Sequence, residues 1–422
     1  MQPITISSER PAFDGDGSGS AYPRATESGT VRRLVERTRA LSSLRAKYAD
    51  LPTDLDGIEL GDLPILSKDD FRLAIHDVLG QARQAPGGAL VFGSGGTTAA
   101  PKLSLIPSAM YVSDILRFWN PLTSSDVLVN LNNAGELGSM YPFYNMLGHE
   151  SGAVVVPLGA LDGEQFGVWL DFMDRHGTTA AGATPSQLVR LLEYCEAAGR
   201  PAPALRKVVW TGEAFPERAA ALTRRMLPDA QLSGVYGSTE TWVIGHNGPA
   251  CSLDAFHVLP YQHIELVDGA VVVTNTHPDT INPILRYRIG DRGQFVSCRC
   301  GRPDPVLRIL GRVDQQVKFR TILVVPEEII DVAVAHPDVR AAQLVLLRHG
   351  DPTEQLELRL ALAPGTDPAE AEGRVRRDVL AQLYRIGFEL GGMSDAFVVR
   401  AVDLLTVNPR TNKTPLLVHE PG

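Results

Sequence analysis

The chain has 422 residues, 44% hydrophobic and 21% charged, with a formal net charge of −9. This is the balance of a soluble globular protein, long enough for a large domain and a smaller one, and the acidic excess argues against nucleic acid or an anionic membrane surface as main partner. Four cysteines make no disulfide framework, and the most apolar run, Ala153 to Leu161, is interrupted by Pro157 and Gly159 and is too short to span a bilayer.

The chain starts polar, with Asp14-Gly15-Asp16-Gly17-Ser18-Gly19 and no basic region followed by an apolar stretch. No export signal is therefore expected, a cytoplasmic location is the default, and residues 1–27 read as a loosely attached arm. Val31, Leu34, Leu41, Leu44 and Tyr48 recur at helical spacing, which predicts a helix from about Thr30 to Tyr48. Ser67-Lys68-Asp69-Asp70 reads as a capping box opening a helix with Phe71, Ile75 and Val78 on one face. Between 88 and 260, predicted strands Ala89–Phe92, Val127–Leu131, Ala153–Val156, Lys207–Thr211 and Leu232–Tyr236 alternate with helical segments. One of these helices is expected to start at Thr184 as N-cap with Pro185 in its first turn. Such alternation points to parallel sheets covered by helices.

After residue 260 the predicted strands His263–Val267, Ala270–Thr274 and Gln294–Cys298 read as antiparallel, with Asp268-Gly269 as a hairpin turn. Beyond Gly311, strands at Val317–Val324, Gln343–Leu347, Leu356–Leu362 and Phe397–Val402, with helices near 327–336 and 367–389, make a small α+β unit. The expected fold is α/β: a large domain (1–313) of layered, mostly parallel sheets with helices and an antiparallel β subdomain, then a small α+β domain (314–422).

Several polar segments punctuate this pattern. Ser94-Gly95-Gly96-Thr97-Thr98-Ala99-Ala100-Pro101-Lys102 follows a strand and can offer amides, hydroxyls and one cation to phosphate oxygens, although it lacks the ending of a Walker loop. Tyr236-Gly237-Ser238-Thr239-Glu240 pairs an aromatic face with oxygen ligands suited to Mg²⁺. Asp291, in Tyr287-Arg288-Ile289-Gly290-Asp291, can hold both hydroxyls of a ribose. Gly311-Arg312-Val313-Asp314 sits where the texture changes, and Asn408-Pro409-Arg410-Thr411-Asn412-Lys413 places a lysine on a polar turn. Taken singly, each also fits an ordinary surface turn.

In this order and spacing the five segments resemble the adenylate-forming superfamily of acyl-CoA synthetases, nonribosomal peptide synthetase adenylation domains and luciferases, from about Leu63 to Leu416. The segment Leu63–Phe71 and the double glycine Gly95-Gly96 are similar to phenylacetate-CoA ligases and to the aryl-acid-activating enzymes of antibiotic pathways. The resemblance implies ATP and Mg²⁺ as cofactors and a role for each matching residue. The Ser94–Lys102 loop would clamp the β- and γ-phosphates. Gly212-Glu213 would lie against adenine, Tyr236 (followed by Gly237) would stack on it, and Thr239 and Glu240 would bind α-phosphate and Mg²⁺. Asp291 would hold the ribose, assisted by Arg312; Lys413 would bridge carboxylate and α-phosphate; Asp314 would be the hinge of a mobile small domain. Ala99, Ile289 and Asn412 depart from the residues usual in the family, and none of them removes a charged group from the chemistry.

The resemblance also places the acid beside Tyr236, with Phe143, Tyr144, Ala181, Gly182, Ala183 and Thr184 as lining. Small residues beside aromatics suit a flat ring; Asn133 and His149 could add polar recognition. Cys251, His257, Cys298 and Cys300 form a Cys₃His set suited to a structural Zn²⁺, as in phenylacetate-CoA ligase relatives, while Cys195 reads as packed in a helix. The expected partners are a small-molecule acid and, as acceptor, CoA, an amine or a carrier protein, with nitrite as an alternative oxyanion and a homodimer left open. A nucleotide-binding protein without ligase activity is the remaining class; intact Glu240, Asp291 and Lys413 count against it.

Overall fold

The computed structural model describes residues 25, 27–82, 88–94, 102–135, 137–161, 165–312, 317–319, 322–349, 354–383, 396–409 and 413–420. The arm read over 1–27 lies almost wholly outside them. Helix α1 (Ser28–Arg39) is shorter than the periodicity predicts, and a 3₁₀ turn, Arg45–Tyr48, replaces its second half. The cause is local: Ser42 Oγ and Ser43 N donate to the Asp77 carboxylate, both at 2.9 Å, and Arg39 donates to the carbonyls of Tyr48 and Leu51. The chain is pulled off the helical path, yet Val31, Leu34, Leu41, Leu44 and Tyr48 still enter one core. The capping box holds. Ser67 N donates to Asp70 Oδ2 at 2.8 Å and Asp70 N to Ser67 Oγ at 3.2 Å, opening α2 (Lys68–Ala82).

Next come a hairpin, β1 (Ala89–Ser94) and β2 (Lys102–Pro107), and then the alternating segment. Its members are β3 (Val127–Asn130), α3 (Met140–Glu150), β4 (Val154–Val156), α4 (Phe166–Arg175), β5 (Ala180–Ala183), α5 (Pro185–Ala197), β6 (Lys207–Thr211), α6 (Glu217–Met226) and β7 (Gln231–Ser238). Strands β7-β6-β5-β3-β4 are parallel neighbours. Side chains alternate across them, as strand geometry requires. Ala180, Val209 and Val235 meet the aromatic core of α3, whereas Ala181, Ala183, Val208 and Trp210 meet α4, α5 and α6.

The sheet does not stop at β7. It continues antiparallel through β8 (Trp242–His246), β9 (Ala255–Val258), β13 (Val306–Arg312), β12 (Tyr287–Val296), β11 (Ala270–Asn275) and β10 (Gln262–Val267), giving eleven strands in one hydrogen-bonded array. The antiparallel half is thus continuous with the parallel half, and Asp268-Gly269 closes the β10–β11 hairpin.

The predicted strand Val317–Val324 is instead two short strands, β14 (Val317–Phe319) and β15 (Ile322–Val324), paired antiparallel with Phe319 opposite Ile322. The remaining elements are α7 (Pro326–Val334), β16 (Val339–Leu347), β17 (Gln355–Leu362), α8 (Pro368–Gln382), β18 (Phe397–Ala401) and β19 (Leu417–Glu420). The four strands form a sheet of order β18-β17-β16-β19. Leu344, Leu346, Leu356, Leu358 and Leu360 of the sheet bury against Ile329 and Ala333 of α7 and Val375 and Val379 of α8. Among the described residues, no helix is long and apolar enough to cross a membrane.

Candidate active site

The carboxyl ends of β5, β6 and β7 carry Thr184, Gly212-Glu213 and Tyr236–Glu240 side by side, the edge where open α/β sheets bind ligands. Each is fixed by local chemistry. Thr184 caps α5, its hydroxyl accepting from Gln187 N at 3.2 Å, and Pro185 fills the first turn. Glu213 Oε1 accepts from Ser186 N at 2.6 Å, which ties the β6 loop to the same helix end. The Glu213 carboxylate is therefore spent on α5, and what the segment presents at the edge is backbone.

Gly237 sits at a bulge between β7 and β8, where a Cβ would lie 2.2 Å from Trp242 O, so only glycine allows this approach. The turn beyond it is closed by Ser238 N and Thr241 N, each donating to the other residue's hydroxyl. Asn282 Nδ2 then donates both to Glu240 O at 3.0 Å and to Ser104 Oγ at 2.9 Å, pinning the turn to β2. Glu240 is a largely buried residue whose carboxylate oxygens are not among the buried side-chain atoms left without a partner. A carboxylate is an oxygen ligand of the kind a divalent cation takes.

Tyr236 joins the two halves of the large sheet. Its ring stacks on Phe256 with centroids 5.2 Å apart and packs against both neighbouring apolar cores. Its hydroxyl donates to Asp291 Oδ2 at 2.6 Å, and Arg312 donates to Asp291 Oδ1 at 3.0 Å. Asp291 and Arg312 stand opposite each other on β12 and β13, so register sets this pair. Burial, reinforced by the Asp291 charge, pushes the Tyr236 phenol well above its ordinary value, and it remains a donor at neutral pH.

Lys413 reaches this edge from the far end of the chain. Its ammonium donates to Gly212 O, while its own carbonyl accepts from Asn408 N at 2.8 Å and closes the turn that presents it. Gly212 has φ +91°, a backbone conformation that favours glycine, and Lys413 Nζ comes to 2.7 Å from where a Cβ would stand. Asn133 Nδ2 donates to Pro409 O at 2.9 Å beside it, a contact no sequence signal announced.

Other expected residues fall differently. Gly95, Gly96, Thr97, Thr98 and Asp314 lie outside the described residues, as do the side chains of Ser94 and Lys102, although Ser94 and Lys102 are paired across β1 and β2. The expected acid lining does not hold as a set. Phe143 and Tyr144 are fully buried, and Gly182 is small because the Tyr144 ring lies on it, 2.7 Å from a would-be Cβ. Ala181 and Ala183 point to the opposite face, into the α4–α6 core. The aromatic ring that these small residues accommodate is the protein's own. His149 is exposed at the end of α3, and Cys195 is buried as a packed thiol.

The Cys/His set does assemble. β13 pairs with both β9 and β12, so the residues flanking those strands converge. Ligand atoms of Cys251, His257, Cys298 and Cys300 lie within 4.8 Å of one another, with His257 Nε2 3.1 Å from Cys300 Sγ. Tetrahedral zinc sets such atoms roughly 3.8 Å apart, between these two values, so small shifts in both directions let the four donors fit it. Burial raises the Cys251 thiol to about 11, whereas at Cys298 hydrogen bonds from Cys300 and Cys251 outweigh burial and lower it.

A family model described as AMP-binding enzyme matches residues 62–274. Pyochelin synthetase PchF of Pseudomonas aeruginosa is 25% identical over 338 residues, 70% of this chain, which spans only 18% of that protein. The 4-chlorobenzoate–CoA ligase of Pseudomonas sp. (strain CBS-3) is 32% identical over 157 residues, 36% of this chain and 28% of that one. Among solved structures, 2-hydroxyisobutyryl-CoA ligase in its postadenylation state, with 2-HIB-AMP, superposes with a TM-score of 0.68 at 17% identity, covering 93% of this chain and 88% of that one. The same ligase in an open conformation and in its thioesterification state, each with 2-HIB-AMP and CoA, gives 0.57 and 0.56 at the same 93% of this chain.

Proposed function

Because the chain belongs to the AMP-binding enzyme family, with the fold of the adenylate-forming superfamily, we propose that it activates a small carboxylic acid with ATP. A carboxylate oxygen attacks the α-phosphorus, the bond from that phosphorus to the bridging oxygen breaks, and pyrophosphate leaves with the electron pair. The acid is already ionised at neutral pH, so no general base is required. The task is to gather negative groups in line and to stabilise charge on phosphorus, which positioned cations do.

The observation that carries this reading is Lys413 docked on Gly212, at the carboxyl edge that also holds Tyr236 and Thr239. From there its ammonium serves carboxylate and α-phosphate together. The Tyr236 ring takes adenine against the Gly212-Glu213 backbone, and Asp291 with Arg312 takes the ribose. Thr239 binds α-phosphate, the Ser94–Lys102 loop the outer phosphates, and Glu240 would hold Mg²⁺, which neutralises phosphate charge when bound. Cys251, His257, Cys298 and Cys300 would hold a structural Zn²⁺ with every position filled by protein. The small domain beginning near Asp314 carries Lys413 in and out. The higher superposition on the postadenylation state than on the open or thioesterification state supports reading the present arrangement as the lysine-in form.

CoA is the acceptor and an aromatic acid the substrate on this reading, both supported by the likeness to 4-chlorobenzoate–CoA ligase. The likeness to PchF, which covers more of the chain, favours a second reading in which a carrier or an amine takes the adenylate. An ATP–pyrophosphate exchange screen over aryl acids, with nitrite included, tests the proposal; products with CoA or amines are then weighed by mass. Exchange with at least one acid is expected, and none with any acid or nitrite would remove the reading.

A further inference from the structure

Among the described residues, several polar contacts join the part up to 312 to the part after 317. Beside the lysine contact are Asn133 to Pro409, the backbone N–H of Arg312 donating to Glu327, and an ion pair between Arg340, at the start of β16, and Glu193 on α5, with 2.7 Å between nitrogen and oxygen. The lysine contact and the ion pair converge on α5. The amino end of this helix is tied to the Gly212-Glu213 loop through Ser186, and Glu193 lies seven residues further, about 10 Å along the axis. One rigid helix therefore has the acceptor of Lys413 at one end and the partner of Arg340 two turns away.

We propose that Glu193 and Arg340 are positioning residues for adenylation, their ion pair holding the unit that carries Lys413 against α5 and so keeping Lys413 at Gly212. This rests on the assignment of Lys413 to the adenylation step. Glu193 also has a second cation at hand. Arg218 on α6 is drawn by Glu193 and repelled by Arg340, so the two guanidiniums share Glu193, while Arg340 also acts on Glu196 of the same helix. When the Lys413 unit turns away, Arg218 remains to compensate Glu193, which keeps the release inexpensive. Arg190, hydrogen-bonded to Gln187 at 2.6 Å, lies between Glu193 and Glu213 and acts on both in either arrangement.

The pair is partly exposed, 29% at Glu193 and 28% at Arg340, so its effect is a moderate shift in population. Acetic anhydride footprinting of the full chain, read at Lys413 by mass spectrometry, measures that population without any acid. Glu193→Arg, which sets like charges together, is expected to raise Lys413 modification about three- to five-fold. Adding Arg340→Glu should return it to the starting level, and Arg218→Ala should lower it. Raised salt should move the unaltered protein in the direction of Glu193→Arg. In pyrophosphate exchange, Glu193→Arg should lower kcat and leave the KM for ATP unchanged.

Lys207, paired with the buried Asp126 at 2.7 Å, reports on folding; if it becomes reactive in Glu193→Arg, Arg340→Glu alone makes the same test from the other side. Unchanged Lys413 modification, or no restoration in the double variant, would overturn the proposal. Failure of the latch would leave the Lys413→Ala effect on pyrophosphate release intact. Failure of the Lys413 assignment would leave the labelling response intact while Lys413→Ala still releases pyrophosphate.

Discussion

Two parts of the candidate site are built on opposite principles. Tyr236, Asp291 and Arg312 sit on strands of a single sheet, and their hydrogen bonds of 2.6 and 3.0 Å follow from its register. Lys413 reaches Gly212 from 201 residues away and from beside a different sheet, through a few polar contacts. The first part is preorganised whatever the rest of the chain does. The second would be lost if the proposed mobile unit turned away. On the proposed function, binding of a nucleotide is separated from the chemistry performed on it, and the two parts should respond differently to mutation.

The largest effect is expected at the conditional part. Lys413→Ala should lower acid-dependent pyrophosphate release by roughly 10²–10³-fold, the scale of losing one charge-stabilising donor, while ATP affinity by calorimetry changes little. Equal losses in both would erase the contrast. At the preorganised part, Asp291→Asn should raise the Kd for ATP by about 10–100-fold, since hydrogen bonds to a charged group are worth about 1.5–3 kcal/mol.

Stability changes should leave both parts standing. Cys300→Ser, or a strong chelator, should lower the melting temperature by on the order of 5–10 °C and remove one zinc per chain by metal analysis. Zinc-free protein of undiminished stability would count against the site. Gly182→Ala should cost about 1–3 kcal/mol by forcing the Tyr144 ring aside, seen as a lower denaturation midpoint. A neutral result there would restore Gly182 to a ligand-lining role.

Much of the preorganised part was legible because local rules govern it. Ser67 with Asp70, and Thr184 with Pro185, announce helix starts that the structure contains. The strand expected over Leu232–Tyr236 is part of β7, whereas the one expected over Gln294–Cys298 starts late, since β12 begins at Tyr287 and carries Asp291 within it. The acid lining was misread for an equally physical reason. Adjacent positions Ala181, Gly182 and Ala183 alternate across a strand, so they cannot line one cavity together. The predicted strand Val317–Val324 folds back because its apolar run conceals a hairpin. Asn133 with Pro409, and Glu193 with Arg340, had no sequence signature at all. Each joins elements whose apposition depends on how separate cores pack, which no periodicity encodes.

The central claim is attack by an acid oxygen on the α-phosphorus. It is tested most directly by supplying an active acid labelled with ¹⁸O in its carboxylate, with ATP and an acceptor, and weighing the phosphate products. One labelled oxygen in AMP, with unlabelled pyrophosphate, is the expected result. Label in inorganic phosphate alongside ADP would contradict it.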